Sequence, residues 1–299
     1  MYNIIKNKKY WFTFSGILVA LSIAALAIFG LKLGIDFTGG SLLEVSYETT
    51  RPSIAQVEES LTPLELQSIR IQPTGEQNFF LRFEDVSEDV HQKILSNLKN
   101  IQIDEQAAAL TELRFESIGP TIGQELKSKA IEAIVIVLLF IVFYIAYAFR
   151  QVSKPVASWK YGISAIIALA HDILIVTGIF AILGQVANVE IDTLFVTALL
   201  TILGFSIHDT IVTFDRTREN LFKVQNQAFD EIVNLSVNQT IVRSINTSVT
   251  TLFVLLAIYI FGGESIKYFV LALILGVIIG TYSSIFVASP LLSLWNKKA

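Results

Sequence analysis

Apolar and polar positions divide this chain into one apolar run, a long polar stretch and then five more apolar runs. The first run covers residues 11–30 and follows Lys6, Lys8 and Lys9. The others cover residues 131–149, 162–183, 191–214, 244–261 and 266–292. Each approaches the ~20 residues that a helix needs to cross a ~30 Å hydrocarbon core. The pattern therefore predicts six membrane-spanning helices. The run at 244–261 is the shortest and has the most polar start. The first run could be a secretory signal, with Ala25-Leu26-Ala27 as a cleavage-like site. A signal core is only about 7–15 residues long, so a retained span is the better reading.

The polar stretch alternates in a different way. Residues 42–47, 66–72, 79–83 and 110–118 read as strands, with Pro73-Thr74-Gly75 as a turn signal. Residues 53–61 follow Pro52 and read as a short helix. Residues 87–98 read as another, capped by Ser87, with Val90, Ile94 and Leu98 on one face. The order is βαββαβ, the ferredoxin-like pattern. The expected organisation is thus an amino-terminal span at 1–31, an α+β domain at 32–129 and a membrane domain at 130–299. "GIDFTGGS", residues 34–41, joins the first span to the α+β domain. It lacks the Gly-Lys-Ser/Thr ending of a P-loop. It reads as a tight turn that needs glycine backbone angles, ahead of a direct substrate contact.

Composition agrees with the pattern. The chain has 299 residues, 53% hydrophobic and 16% charged, against about 25% charged in soluble domains. Mean hydropathy is +0.60. There is no cysteine, which excludes disulfides, thiolate metal sites and a Cys nucleophile. His91, His171 and His208 are far apart in sequence, so no metal site and no cofactor is expected. No basic cluster suggests nucleic acid. Lys and Arg orient the spans. Lys6, Lys8 and Lys9, then Arg150, Lys154 and Lys160, then Arg216, Arg218 and Lys223, then Lys297 and Lys298 all fall on one side. The turn at 184–190 has neither residue. Both termini are expected to be cytoplasmic and the α+β domain outside.

Chemistry is concentrated in the spans. In the fourth, Ser206, Asp209 and Thr213 share a helical face, and Thr197, Thr201, Gly204 and His208 form an adjoining stripe. Such a seam must meet protein or water. The fourth span exits into the cytoplasm, which puts Asp209 one or two turns below that surface. The fifth span begins "TIVRSINTSVTT", in which Arg243, Thr247 and Thr250 share a face beside Asn246. Arg243 enters at a depth near that of Asp209. Burial raises the pKa of a carboxylate and a nearby Arg lowers it, a balance that can poise an acid for proton exchange. His171-Asp172 is a second pair, close to mid-span. In the sixth span Ala272, Gly276, Gly280, Ser284 and Ala288 recur at every fourth position, a close-packing face.

"GIDFTGG", "ESIGPTIGQEL", "HDILIVTGIF", "GFSIHDTIVTFDRTREN" and "NQTIVRSINTSVTT" together resemble, in order and spacing, the SecD/SecF family of bacterial preprotein translocase subunits, on its SecF side. The family pattern has Asn or a similar residue where His208 precedes Asp209. The resemblance implies one six-helix half of a resistance-nodulation-division (RND) type assembly in the bacterial cytoplasmic membrane. SecD would supply the other half. The SecYEG channel, YajC, the translocating preprotein and the lipid bilayer are the further associates implied. It implies use of the proton-motive force, with H+ as the coupling ion. Asp209 and Arg243 fall at the family's proton-path positions, and His171 and Asp172 match a family motif as well. On this reading protonation of Asp209 releases Arg243, and the shift in helix packing reaches the outer domain through the first two spans.

Three other classes compete. A small-molecule or lipid exporter of RND architecture would be a twelve-helix chain with a pocket in its outer domains. An intramembrane protease using His171 and Asp172 would need a second acid or a nucleophile at matching depth. A purely structural subunit would have no proton role.

Overall fold

The computed structural model describes residues 1–48, 51–103, 106–107, 109–149, 156–224 and 227–295. Arg150, Lys154, Lys297 and Lys298, which the orientation argument uses, lie outside the described residues. The chain divides into two compact units, Leu33–Ala130 and a membrane unit of Met1–Lys32 with Ile131–Ala299.

In the Leu33–Ala130 unit, α2 (Ile35–Thr38) leads into β1 (Gly40–Tyr47). Then come α3 (Ile54–Leu61), β2 (Arg70–Thr74), β3 (Asn78–Phe83) and α4 (Glu88–Lys99). A two-residue pair, β4 (Gln102–Ile103) and β5 (Gln106–Ala107), precedes β6 (Leu110–Ile118). The four main strands run antiparallel in the order β2-β3-β1-β6. With one helix after β1 and one after β3, this is the ferredoxin-like topology read from the sequence.

Alternation builds the core. Leu43, Val45 and Tyr47 of β1 and Phe79, Leu81 and Phe83 of β3 are buried. They pack with Val57 and Leu61 of α3 and with Ile94, Leu95 and Leu98 of α4. Ser53 caps α3 with a reciprocal box: its Oγ accepts from Gln56 N, and its own N–H donates to Gln56 Oε1. Ser87 precedes α4 in extended backbone but makes no side-chain cap bond; Glu88 and Asp89 in the first turn favour the helix dipole instead.

Two local expectations are corrected. The second strand starts at Arg70, because a 3-10 turn at Thr62–Leu64 and left-handed Glu65 and Ser68 occupy the preceding loop. Pro73 and Thr74 belong to that strand. β2 is an edge strand, where the missing N–H of proline is tolerated. A bulge also interrupts the β1–β6 ladder: Glu44 faces Arg114 but Val45 faces Glu112, and the skipped Leu113 is half-exposed.

The glycine pair of "GIDFTGGS" has left-handed backbone at Gly39 (φ 75°) and Gly40 (φ 120°). A Cβ on Gly39 would fall 2.8 Å from Pro120 Cα, and one on Gly123 would fall 2.9 Å from Gly39 N. The segments by which the chain enters and leaves this unit are therefore clasped together.

The membrane unit contains α1 (Lys8–Phe29), most of α5 (Pro120–Ala148), α6 (Ser158–Val186), α7 (Thr193–Lys223), α8 (Phe229–Phe261) and α9 (Glu264–Ser283). A π-helical segment, Ser284–Ala288, and α10 (Ser289–Leu294) continue α9. Pro290 cannot donate to the preceding turn, and the wider π turn absorbs the mismatch. The Ser289 hydroxyl donates to Ser284 O across it.

Among the described residues, six helices are long and apolar enough to cross a membrane. Three clearly outgrow their apolar runs: α5 begins at Pro120, well ahead of residue 131. α7 continues past residue 214 to Lys223, and α8 begins at Phe229, ahead of residue 244. Asp209 therefore lies near the middle of α7 as a helix, while the apolar run ends soon after it, at residue 214. Within their apolar windows, α6, α7 and α9 are about half buried, whereas α5 and α8 are 6% and 11% buried. The centre of the unit is thus built from α6, α7 and α9.

Candidate functional site

The centre of the membrane unit depends on small residues. A Cβ on Gly276 would fall 2.1 Å from Ile202 Cγ1, and one on Gly280 would fall 2.9 Å from Ser206 Cβ. These glycines let α9 press against α7. On the other side of α6, a Cβ on Gly178 would fall 2.4 Å from Ser22 Cβ of α1.

This close approach gathers hydroxyls around Asp172, which is completely buried. Ser206 Oγ from α7 and Ser283 Oγ from α9 both donate to Asp172 Oδ2, at 2.5 and 2.8 Å. His171 Nδ1 lies 2.9 Å from Oδ1. Its Nε2 is buried without a partner among the described residues. The His171 ring stacks on Tyr282, whose hydroxyl meets Ser15 Oγ of α1 at 3.0 Å.

Asp209 lies one turn beyond Ser206 on α7. It is 4% exposed, and its Oδ2 is buried with no hydrogen-bond partner among the described residues. His208 Nδ1 stands 3.8 Å from Oδ1, and Ser244 of α8 stands beside the carboxyl. The two acids differ in kind. Asp172 is held by three helices, whereas Asp209 keeps an unmet oxygen. A buried polar atom without a partner is costly, and native structures keep few of them.

From Asp209 a polar seam continues along the α7–α8 contact. Thr210, Thr213, Thr217 and Asn220 are buried on α7, and Ser236, Thr240, Ser244 and Ser248 are buried on α8, where the Ser248 hydroxyl meets that of Thr281 on α9. Thr213 and Thr240 hydroxyls meet at 3.2 Å, and Asn220 Nδ2 donates to Ser236 Oγ and Gln239 Oε1 at 2.9 and 2.8 Å. The seam ends where Arg216 Nε donates to Gln239 Oε1 at 2.6 Å.

The structure thus brings Asp172, His171, Ser206, Asp209, Thr213, Gly276 and Gly280 into one contiguous core. Arg243, Thr247 and His208 lie at the exposed edge of this core, where His208 and Arg243 still act electrostatically on the Asp209 carboxyl. Arg243 and Thr247 lie on the exposed face of α8, and Arg243 forms no ion pair with Asp209 among the described residues. The His208 side chain is 62% exposed. Thr197, Thr201 and Gly204 are exposed on the same α7 stripe, and a Cβ on Gly204 would meet open space. Sequence reasoning missed Ser283 and the Ser236–Thr240–Ser244–Ser248 row. The row has a four-residue period and could have been found, but the Arg243 face beside it has a similar one.

Comparison with known proteins adds the following. The model of the SecD/SecF protein export membrane protein family, C-terminal part, matches residues 98–298, and the SecD/SecF GG motif matches residues 24–50. Protein translocase subunit SecF of Thermobaculum terrenum is 45% identical, with 100% of this chain and 95% of that protein covered. Its counterpart from Anaerolinea thermophila is 39% identical over 99% and 94%. A crystal structure of SecDF, a translocon-associated membrane protein from Thermus thermophilus, superposes with a TM-score of 0.83 at 32% identity. It matches 98% of this chain, which spans only 38% of that longer one.

Proposed function

The chain belongs to the SecD/SecF family, as a SecF subunit of protein translocase, and we propose that it couples proton movement to late protein export. The observation that carries this reading is Asp209, a carboxyl buried among membrane helices with one oxygen unmet. It stands where the Asp172 cluster joins the hydroxyl seam between α7 and α8.

In this reading Asp209 takes a proton from the outer side and releases it along the seam toward the cytoplasm. Asp172, with His171, is the second acid of the path, and its three-helix grip transmits a change at Ser206 to α6 and α9. At ~100 mV one proton supplies about 2.3 kcal/mol from the membrane potential alone. That biases a two-state movement roughly fiftyfold. α1 and α5 are the covalent connections through which helix movement would act on the Leu33–Ala130 unit.

A SecD-like half is the proposed partner, as in the fused SecDF chain. Two exposed polar stripes support it: Thr197–Thr201–Gly204–His208 on α7, and Arg243, Asn246, Thr247 and Thr250 on α8. An Arg at mid-bilayer costs about 2.5–3.5 kcal/mol on insertion scales. These stripes therefore need protein or water, and a second helical half supplies both. The Asp209–Arg243 interaction read from the sequence is accordingly proposed to form or break with that half in place. SecYEG and YajC are the proposed wider associates, in a bacterial cytoplasmic membrane with both chain termini inside.

The test is gradient-driven export of a reporter into inverted vesicles, with assembled complex measured in parallel. Asp209→Asn, equal in size and unable to titrate, is expected to assemble and to lose the gradient's stimulation. Normal stimulation in that variant would reduce Asp209 to a packing residue. The shared name of the relatives favours protein over small-molecule cargo.

A further inference from the structure

The turn between α6 and α7 joins the helices that carry Asp172 and Asp209, and it is closely bonded. Leu183 O accepts from Ala187 N at 2.8 Å and from Val189 N at 3.3 Å. Asn188 takes left-handed backbone (φ 54°), which asparagine adopts more readily than most side chains do. Asp192 Oδ1 accepts from Phe195 N at 2.8 Å and caps α7. Val189 and Ile191 are buried. Lys32, just beyond the end of α1, is held by this turn at two points. Its carbonyl accepts from Ile191 N at 2.8 Å, and its ammonium donates to Asn188 Oδ1. Gly184 makes room for it: a Cβ there would fall 3.4 Å from Lys32 Cβ and 3.2 Å from Val189 O.

We propose that Lys32, Asn188 and Gly184 are positioning residues that lock the exit of α1 to the α6–α7 turn, so that movement of α6 and α7 reaches residues 33–130 through this contact. The proposal deepens the proton-coupling reading and rests on it. An ordinary lysine at a helix end snorkels to the membrane surface. Three observations favour a lock instead. The main-chain bond from Ile191 does not depend on the Lys32 side chain. Two bonds from one residue, to positions three apart in the turn, stop rotation about either. The turn that receives them is itself fixed at both ends, by Leu183 O and by the Asp192 cap. A rigid attachment passes a displacement on, whereas a hinge absorbs it. Leu33 is the next residue in the chain, so the displacement enters the second unit directly. The return connection, α5, is 6% buried in its apolar window against 17% for α1, and has less helix packing by which to be driven.

The test uses the full chain with its co-purified partner in inverted vesicles, and follows gradient-driven export together with Asp209-dependent proton movement. Gly184→Leu wedges Lys32 away from the turn. It is expected to keep proton movement and to lose most of the roughly fiftyfold stimulation. The chain has no cysteine, so Lys32→Cys with Gly184→Cys can be oxidised selectively. At 3.4 Å the two Cβ positions are close to the ~3.5–4.5 Å that a disulfide spans. The reduced pair is expected to lose part of the stimulation and the oxidised pair to regain it, a rescue that lost folding would not show. Should Gly184→Leu fail to assemble, this pair decides alone. Native stimulation in both Gly184→Leu and the reduced pair would overturn the proposal. Stimulation blocked by oxidation would mean that the contact must open in each cycle, and would overturn it also. Asp209→Asn is measured beside them: full stimulation there removes the proton reading, and the cysteine pair still reports whether this contact carries the movement.

Discussion

The two units of this chain are built inside out relative to one another. In the Leu33–Ala130 unit the core is apolar, and charged groups such as Arg114 and Glu116 pair at the surface. In the membrane unit the surface is apolar, with Phe140, Phe143, Phe253 and Phe261 exposed, while Asp172, Ser206, Thr213 and Asn220 are buried. Water drives the first arrangement through apolar burial. Lipid tails offer no such drive between helices, so close packing at small residues and hydrogen bonds hold the second. A serine on a helix therefore reads as surface in one unit and as centre in the other.

The contrast is sharpest for one kind of substitution made in both units. Gly280→Leu adds a branched side chain where even a Cβ is 2.9 Å from Ser206 Cβ. It is expected to separate α9 from α7, scatter the partners of Asp172 and abolish recovery of assembled protein on native gels. Gly75→Leu puts the same side chain on a loop where a Cβ meets open space. Its only cost is the left-handed backbone at φ 58°, about 1–2 kcal/mol. Intact assembly of Gly280→Leu would show the small-residue row to be incidental.

Next in size is Asp209→Asn. Export should lose up to the ~fiftyfold bias that one proton supplies at ~100 mV, with folding retained. Arg243→Lys keeps the charge and loses the planar fork, so it should impair export substantially only in the presence of the partner half. If Asp209 and Arg243 act as one unit, the double variant is no worse than the worse single one. Additive losses would separate them. His208→Asn should be mild, since that side chain is exposed.

How much of this was legible in the sequence follows from the same contrast. Period-two alternation around Leu43, Val45 and Tyr47 identifies a half-buried strand, and the residues of β6 were legible without error. The start of β2 was not, because the loop residues Leu66 and Ile69 are apolar and pack on the core, imitating a strand. Helix number was legible from apolar length. Helix ends were not: α7 and α8 run on where the apolar signal stops, supported by the Arg216–Glu219–Lys223 cluster and by Asn220 bonding across to α8. The buried face of α8 was ambiguous for a physical reason. Ser236, Thr240, Ser244 and Ser248 face α7 or α9, while Arg243, Thr247 and Thr250 face outward, and both rows are polar. In a membrane helix polarity marks contact with something, and only the fold shows with what.

Core substitutions give a smaller contrast. A Leu33–Ala130 fragment, which keeps the Gly39–Pro120 clasp, should melt cooperatively; a 41–117 fragment, which cuts the clasp, should melt lower. In the longer fragment Leu81→Ala empties a fully buried position and should cost about 2–5 kcal/mol by denaturant unfolding. Thr213→Val in the membrane unit keeps the volume and removes a hydroxyl pair with Thr240. Hydrogen bonds between membrane helices average about 0.6 kcal/mol, so the loss should be of that order. A larger loss for Thr213→Val than for Leu81→Ala would break the inside-out account.

The smallest effect tests how surface charge in the outer unit responds to water. Glu88 opens α4 and is exposed. Gln92 Nε2 donates to its Oε1 at 2.6 Å, and His91 Nδ1 lies 3.1 Å from the same oxygen. The amide of Gln92 first, and His91 second, favour the carboxylate and hold its pKa below the ordinary value. A carboxyl depressed by folding contributes stability that is complete above its unfolded pKa, near 4.3, and is lost as pH falls through the folded value. The fragment should therefore melt lower as pH drops below about 4. Glu88→Gln should cost a small, constant amount from about pH 5 to 7, and the gap from the native fragment should close in acid. His91 adds a structural reason to expect a local effect, since its ring stacks on Phe115 at 3.7 Å and its Nε2 lies 3.4 Å from Glu112. Melting curves of both fragments between pH 3 and 7 measure the gap. A gap that stays open at pH 3 would trace the loss to packing of α4 on β6, and the charge of Glu88 would then have no part in it.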